Sequence, residues 1–208
     1  MLRPNDPAAL AQRGFALIKK GHIEAALADL DKAISLNPAE AWFYAWRGSA
    51  NSWTNDIEKA LADFKRALEL NPKEAGFYAL RGSVYGKKHD YIKAAADFGQ
   101  AILLNPGSPE ACNNLAWLRA TCPEASLRDG KEAVELATRA CDQTGYKIQS
   151  LVDTLAAAYA ETDDFENAVK YEKLSLGLIS ATPQNRPAME ERLALYEHRK
   201  PFRQKPNP

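Results

Sequence analysis

Residues 41–74 read AWFYAWRGSANSWTNDIEKALADFKRALELNPKE, and the chain repeats this stretch, altered, on both sides. Asn71-Pro72 returns as Asn37-Pro38 and as Asn105-Pro106. Gly48 is matched by Gly14 and Gly82, Ala60 by Ala26 and Ala94, and Ala67 by Ala33 and Ala101, always at a step of 34 residues. A period of 34 is the length of a helix–turn–helix unit that stacks on copies of itself. Such a unit cannot bury its apolar face alone, so an array of them makes extended surface rather than a single catalytic pocket.

The periodicity inside each copy predicts two helices. Leu10, Gly14 and Leu17 share one face of the first, and Ile23, Ala26, Leu27, Leu30 and Ile34 form the apolar stripe of the second. Gly14, Gly48 and Gly82 fall mid-helix, where glycine costs about 1 kcal/mol against alanine. That cost is explained if a partner helix crosses close to the backbone there. The Asn-Pro steps end the second helices, because proline disfavours helix at the residue before it.

These residues carry a resemblance. The second copy has Tyr44, Gly48, Ala60, Phe64, Ala67 and Pro72, and the third has Tyr78, Gly82, Tyr85, Ala94, Phe98, Ala101 and Pro106. The pattern resembles the tetratricopeptide repeat, of a bacterial type, over Pro7 to Ser108. The resemblance implies an all-α fold: a right-handed α-solenoid of five helix pairs plus a C-terminal capping helix. Residues 7–40, 41–74 and 75–108 are the regular repeats. Residues 109–147 form a fourth with a five-residue insertion, because Ala116 to Ala133 spans 17 residues where Gly14 to Ala26 spans 12. The insert falls in Cys122 to Gly130, as a turn projecting from one edge that serves binding or is tolerated drift. Residues 148–181 form a divergent fifth unit. The cap, residues 184–199 with its helix from Arg186, carries Met189, Leu193 and Tyr196 on one side. Glu190, Glu191, Arg192 and Glu197 are expected on its solvent side, and residues 200–208 are expected as a flexible tail.

One departure from the family pattern is systematic. Arg13, Arg47 and Arg81 stand just before the repeat glycines, and Asp29, Asp63 and Asp97 three residues after the repeat alanines. Opposite charges locked to one period on facing helices predict structural ion pairs, with guanidinium and carboxylate meeting bidentately.

No chemistry-bearing motif is present. His22 and His89 fall in turns and His198 near the end of the cap, none at a metal or triad spacing. Asp163-Asp164 lacks the further ligands of a calcium loop. The expectation is a non-enzyme without metal or cofactor. The 27 basic and 27 acidic residues cancel and no Lys/Arg block occurs, which argues against nucleic acid. No apolar run is long enough to span a bilayer. Cys112, Cys122 and Cys141 are odd in number and widely spaced, which indicates free thiols in a reduced, cytoplasmic compartment, unless a leader has been removed. Cys122, ending a helix beside the insert, is expected to be the most open to reagent.

The expected function is therefore protein–protein interaction, with a peptide or helix of a partner held in the concave groove lined by first helices. The alternative is a spacer or self-association element of a larger assembly. At about 100° per residue, Trp42, Trp46 and Trp53 form one stripe, with Trp46 the one most readily taken up by packing against neighbouring first helices. Phe15, Trp42, Ser49, Trp53, Ser83 and Trp117 are the predicted partner-binding residues, and Glu110, Asp153 and Glu161 are expected to favour basic groups towards the C-terminal end. The resemblance also implies a negative: the places where chaperone-tail binders carry Lys, Asn and Arg hold Ala11, Phe15, Ser49, Ala79 and Ser83, so no carboxylate clamp is expected.

Overall fold

In a computed structural model, residues 6–178 and 185–205 are described. Among them every element is helical: α1 (Pro7–Lys19), α2 (Ile23–Leu36), α3 (Ala41–Trp53), α4 (Ile57–Leu70), α5 (Ala75–Lys87), α6 (Tyr91–Leu104), α7 (Pro109–Thr121), α8 (Gly130–Thr144), α9 (Gln149–Glu161), α10 (Phe165–Leu178) and α11 (Arg186–Glu197). The helices that open the first four pairs begin at Pro7, Ala41, Ala75 and Pro109, a constant step of 34. The chain divides into two compact units, one up to Leu104 and one from Asn105 onward.

In the first unit, three antiparallel pairs pack α1 on α2, α3 on α4 and α5 on α6, with α2 against α3 and α4 against α5. Alanines make the close crossings: Ala11, Ala26, Ala33, Ala45, Ala60, Ala67 and Ala94 are fully buried. Phe43, Phe64, Phe77 and Phe98 fill the wider gaps. The repeat glycines serve the approach inferred from the sequence. A Cβ on Gly48 would stand 3.2 Å from the Ala60 carbonyl and from Phe64, and one on Gly82 2.8 Å from the Phe98 ring. The second helices stop at Leu36, Leu70 and Leu104, one residue before Asn-Pro, and the Asn37 and Asn71 amides still donate to Ala33 and Ala67. Side-chain caps fix several starts: the Ala9 amide donates to Asp6, and that of Ala111 to Ser108. A cap of this kind is worth about 1 kcal/mol.

In the second unit α7 packs on α8 and α9, α8 on α9, α9 on α10, and α10 on α11. Several sequence expectations change here. The insert does not project freely. A 3-10 turn at Ala125–Leu127 is clamped from both ends: Arg119 donates to the Leu127 carbonyl at 3.0 Å, and Arg128 donates to the Cys122 carbonyl at 2.9 Å and to Glu161 at 3.0 Å. The clamp folds the turn over Cys122, which is fully buried, so Cys122 is no more open than Cys112 or Cys141. Arg192 is not on the solvent side of the cap but buried beneath it. Residues 200–205 are not loose either. Phe202 lies 5.9 Å from the Trp117 ring, and the Gln204 amide donates to the Thr121 carbonyl at 2.9 Å. The end of the fifth unit at residue 181, the start of the cap at 184 and residues 206–208 of the tail lie outside the described residues.

Candidate functional site

On the first unit, α1, α3 and α5 lie side by side, and α3 contributes three tryptophans, Trp42, Trp46 and Trp53. An eleven-residue interval puts Trp53 about 16 Å along α3 from Trp42. Trp42 meets the buried Phe77 of α5 edge-on at 4.7 Å, and Trp46 stacks on Phe15 of α1 at 5.1 Å while also touching Phe43. Trp46 is thereby half-buried in packing between first helices, whereas Phe15 and Trp42 remain exposed and Trp53 is 72% exposed. Between α1 and the start of α3 these rings leave a hollow of about 470 Å³, walled by Pro7, Ala8, Phe15, Trp42, Phe43 and Trp46. Its polar margin is Asn37 and Glu40, the latter accepting the Trp42 amide at 3.4 Å. Its walls have the apolar character that suits an apolar or aromatic side chain, and its rim carries hydrogen-bond acceptors.

The other predicted binding residues are spread more widely. Ser49 and Ser83 lie on α3 and α5, but each hydroxyl donates to the carbonyl four residues back, Ala45 and Ala79, so neither has a free proton for a ligand. Trp117 is in the second unit, and its ring is covered by Phe202 and by the Arg192 guanidinium at 5.7 Å.

The Arg–Asp series forms as paired rungs. Arg13 reaches Asp29 at 2.5 and 2.6 Å, Arg47 reaches Asp63 at 3.0 and 2.6 Å, and Arg81 reaches Asp97 at 2.7 and 2.7 Å, each bidentate. The aspartates are buried, while the arginines grade from 65% exposed at Arg13 to 26% at Arg47 and 22% at Arg81. Hydrogen bonding to the aspartate raises each guanidinium pKa, so the arginines stay charged and occupied. A second hollow of about 380 Å³ beside Arg47 is lined by Asp31, Asp63, Arg47 and Lys59, whose charges cancel. It presents no net charge to an ionic ligand.

The second unit buries a cluster that the sequence did not disclose. Arg192 of α11 donates to Asp153 of α9 at 3.0 and 2.7 Å, and Glu172 of α10, fully buried, lies 3.6 Å from Arg192. Burial, and then the neighbouring Asp153 carboxylate, push the Glu172 carboxyl up to about 9. Burial raises Asp153 too, against the pull of Arg192. One guanidinium therefore faces two carboxyl groups that burial drives towards their neutral forms. Asp153 was expected to face ligand, but its charge is taken by Arg192. Glu161 is likewise held by Arg128 and by Arg203 of the C-terminal segment. A helical wheel sorts Asp153 and Arg192 among surface charges because it has no knowledge of a packing helix 39 residues away.

Among the described residues no helix is long and apolar enough to cross a membrane. Comparison with known proteins places the repeats. The sequence pattern of the Tetratricopeptide repeat family matches residues 7–40, and again residues 43–74 and 75–108. No curated protein matches the chain. Among solved structures, MamA is similar at 26% identity and a TM-score of 0.58, over 69% of this chain and 81% of that one. A thermophilic repeat protein of Thermus thermophilus superposes with a TM-score of 0.70 at 17% identity, covering 92% and 99%. YrrB, described as having an unusual peptide-binding site, superposes with a TM-score of 0.63 at 20% identity, covering 90% and 92%. The latter two likenesses concern the fold.

Proposed function

Because the chain is a tetratricopeptide-repeat protein, we propose that it is a protein-interaction module that holds an extended segment or helix of another protein against α1, α3 and α5. The hollow between Phe15, Trp42 and Trp46 carries this reading. It is apolar, large enough for one aromatic or branched side chain, and flanked along α3 by the exposed Trp53. Affinity at such a surface comes from a few aromatic anchors in a water-excluding surround. Phe15, Trp42 and Trp53 are the anchors, with Ser49 and Ser83 as small neighbours that leave room. The peptide-binding site described for YrrB is a precedent for this use of the fold. The apolar walls in this unit imply weak salt dependence.

Peptides selected on the wild-type protein from a random display library provide ligands without knowledge of the natural partner. Phe15→Ala and Trp53→Ala, neither of which removes a fully buried ring, should each weaken the selected peptides by about 2 kcal/mol while the helical circular dichroism stays unchanged. Normal binding by both variants would reject the site. The competing role as a self-association element has its own signature: a concentration-dependent dimer in light scattering that the same two substitutions abolish.

A further inference from the structure

The C-terminal segment makes contacts of the kind that an extended peptide makes with a receptor. After α11 ends at Glu197 the chain reverses, with Arg199 at φ 55°, and runs without helix along α7. Three different attachments follow within three residues. Phe202 packs on Trp117, and the Arg192 guanidinium lies over both rings at 5.6 and 5.7 Å. Arg203 pairs with Glu161 of α9 and points a second nitrogen at the Ala120 carbonyl, 3.5 Å away. The Gln204 amide donates to Thr121, one of the α7 carbonyls that the helix end leaves without an intrahelical partner. A ring, a charge and a main-chain donor, in that order, are what side-chain pockets and a helix end read in a bound peptide.

The receptor side is built independently of the segment. Glu161 is fixed by Arg128, Asp153 orients Arg192, and Trp117 stands on the rigid α7. One turn before Trp117, on the same face of α7, the Asn113 Oδ1 is buried without a hydrogen-bond partner. The segment runs from Trp117 towards Thr121 and so leaves that acceptor unserved. A longer ligand entering from the other direction would run over that turn of α7.

We propose that the face of α7 and α9 bearing Trp117 and Glu161 is a second peptide-binding site, selective for an extended protein segment with an aromatic residue followed by arginine, and that the chain's own residues 201–205 close it. Short tethers hold such a segment at an effective concentration in the millimolar range. A free peptide making only the same contacts is therefore excluded from the full chain. A natural partner must therefore add contacts beyond these.

The test uses the full chain and a fluorescein-labelled, end-blocked peptide Lys-Pro-Phe-Arg-Gln-Lys, followed by fluorescence anisotropy. In the variant Phe202→Ser/Arg203→Ser the tail remains attached but loses its ring and charge. That variant should bind the peptide at least tenfold more tightly than the wild type. Peptides with Phe replaced by Ala, or Arg by Glu, should not bind it. Saturable binding that is equal for wild type and variant would show that the site is not closed by the segment. Absence of binding to a variant with wild-type circular dichroism would show that the segment is a structural strap only. If the double variant fails to fold, Arg203→Ser alone carries the same two outcomes. A wild-type dimer that dissociates in the variant would mean that the segment is exchanged between two copies, and would overturn closure within one chain.

Discussion

Arg47→Ala removes the most heavily engaged rung of the Arg–Asp series. The arginine makes two hydrogen bonds to Asp63 and one to Asp31 at 2.7 Å. The Asp63 side chain is 8% exposed and would keep only the Asn51 amide, 3.1 Å away. A buried carboxylate that loses its cation costs about 3–5 kcal/mol when water cannot reach it, and an exposed pair contributes about 0–1 kcal/mol. Arg47 is 26% exposed, so water enters the vacated space in part, and its bond to the exposed Asp31 adds little. The expected loss is about 2–3 kcal/mol, between those two limits, read from urea unfolding followed by circular dichroism. Asp63→Asn in the same background should recover part of it, because a neutral amide tolerates the site better than an orphaned carboxylate. Arg13→Ala, at the most exposed rung, should cost clearly less. Equal losses at Arg13 and Arg47, or no recovery on adding Asp63→Asn, would refute the argument that burial of the aspartate sets the magnitude.

Two glycine substitutions should shift stability in opposite directions. Gly82→Ala drives a methyl into Phe98 at 2.8 Å and towards the Ala94 carbonyl at 3.2 Å, a net loss of about 1–2 kcal/mol. Gly99→Ala, mid-way along α6 with nothing near its Cβ, should gain about 0.5–1 kcal/mol in the same thermal melts. Stability of the second unit should fall as pH rises. The Glu172 pKa moves from 4.5 to about 9 on folding, so between those values the folded state holds a proton that the unfolded chain has released. Its stabilising contribution is complete below about pH 4.5 and gone above about pH 9, and Glu172→Gln should flatten that slope in hydrogen exchange of α10 and α11. An unchanged slope would mean that Glu172 is not the titrating group. Finally, thiol titration of the native protein should find no fast-reacting group, since all three cysteines are buried and burial raises the Cys122 thiol and pushes Cys141 up to about 12. A rapid reaction at Cys122 would show that the clamped insert opens.

The first unit was legible because its information is local and repeated. Mid-helix glycines, Asn-Pro stops and Arg–Asp rungs all act over separations of 16 residues or fewer, and each is written three times at a period of 34. The stacking of Trp46 on Phe15 was also within reach of helical geometry. The second unit was harder because its contacts are long-range and occur once. Nothing in the pattern around Arg192 announces a partner at Asp153, and the short polar tail has the composition of a loose end until Trp117 and Glu161 are placed beneath it. The insert misled for a related reason. Its length was countable, but the backbone hydrogen bonds of Arg119 and Arg128 that pin it depend on where two neighbouring chain segments come to rest.

The three regular helix pairs share their apolar contacts but not their polar links. Arg47 bonds across to Asp31 on α2, whereas the residue 34 positions beyond Asp31 is Lys65, which has the same charge as Arg81. The third pair is attached to the second instead by Lys87, which donates to the Ser52 carbonyl at 2.9 Å, and by Lys88 on Glu58 at 2.6 Å. Each pair thus bears an address that its neighbour can read. Shuffling the order of the three modules would preserve every buried alanine and phenylalanine crossing within a pair, yet lose these junctions. Chimeras that treat the repeats as interchangeable parts should assemble with the wrong neighbours' charges facing each other.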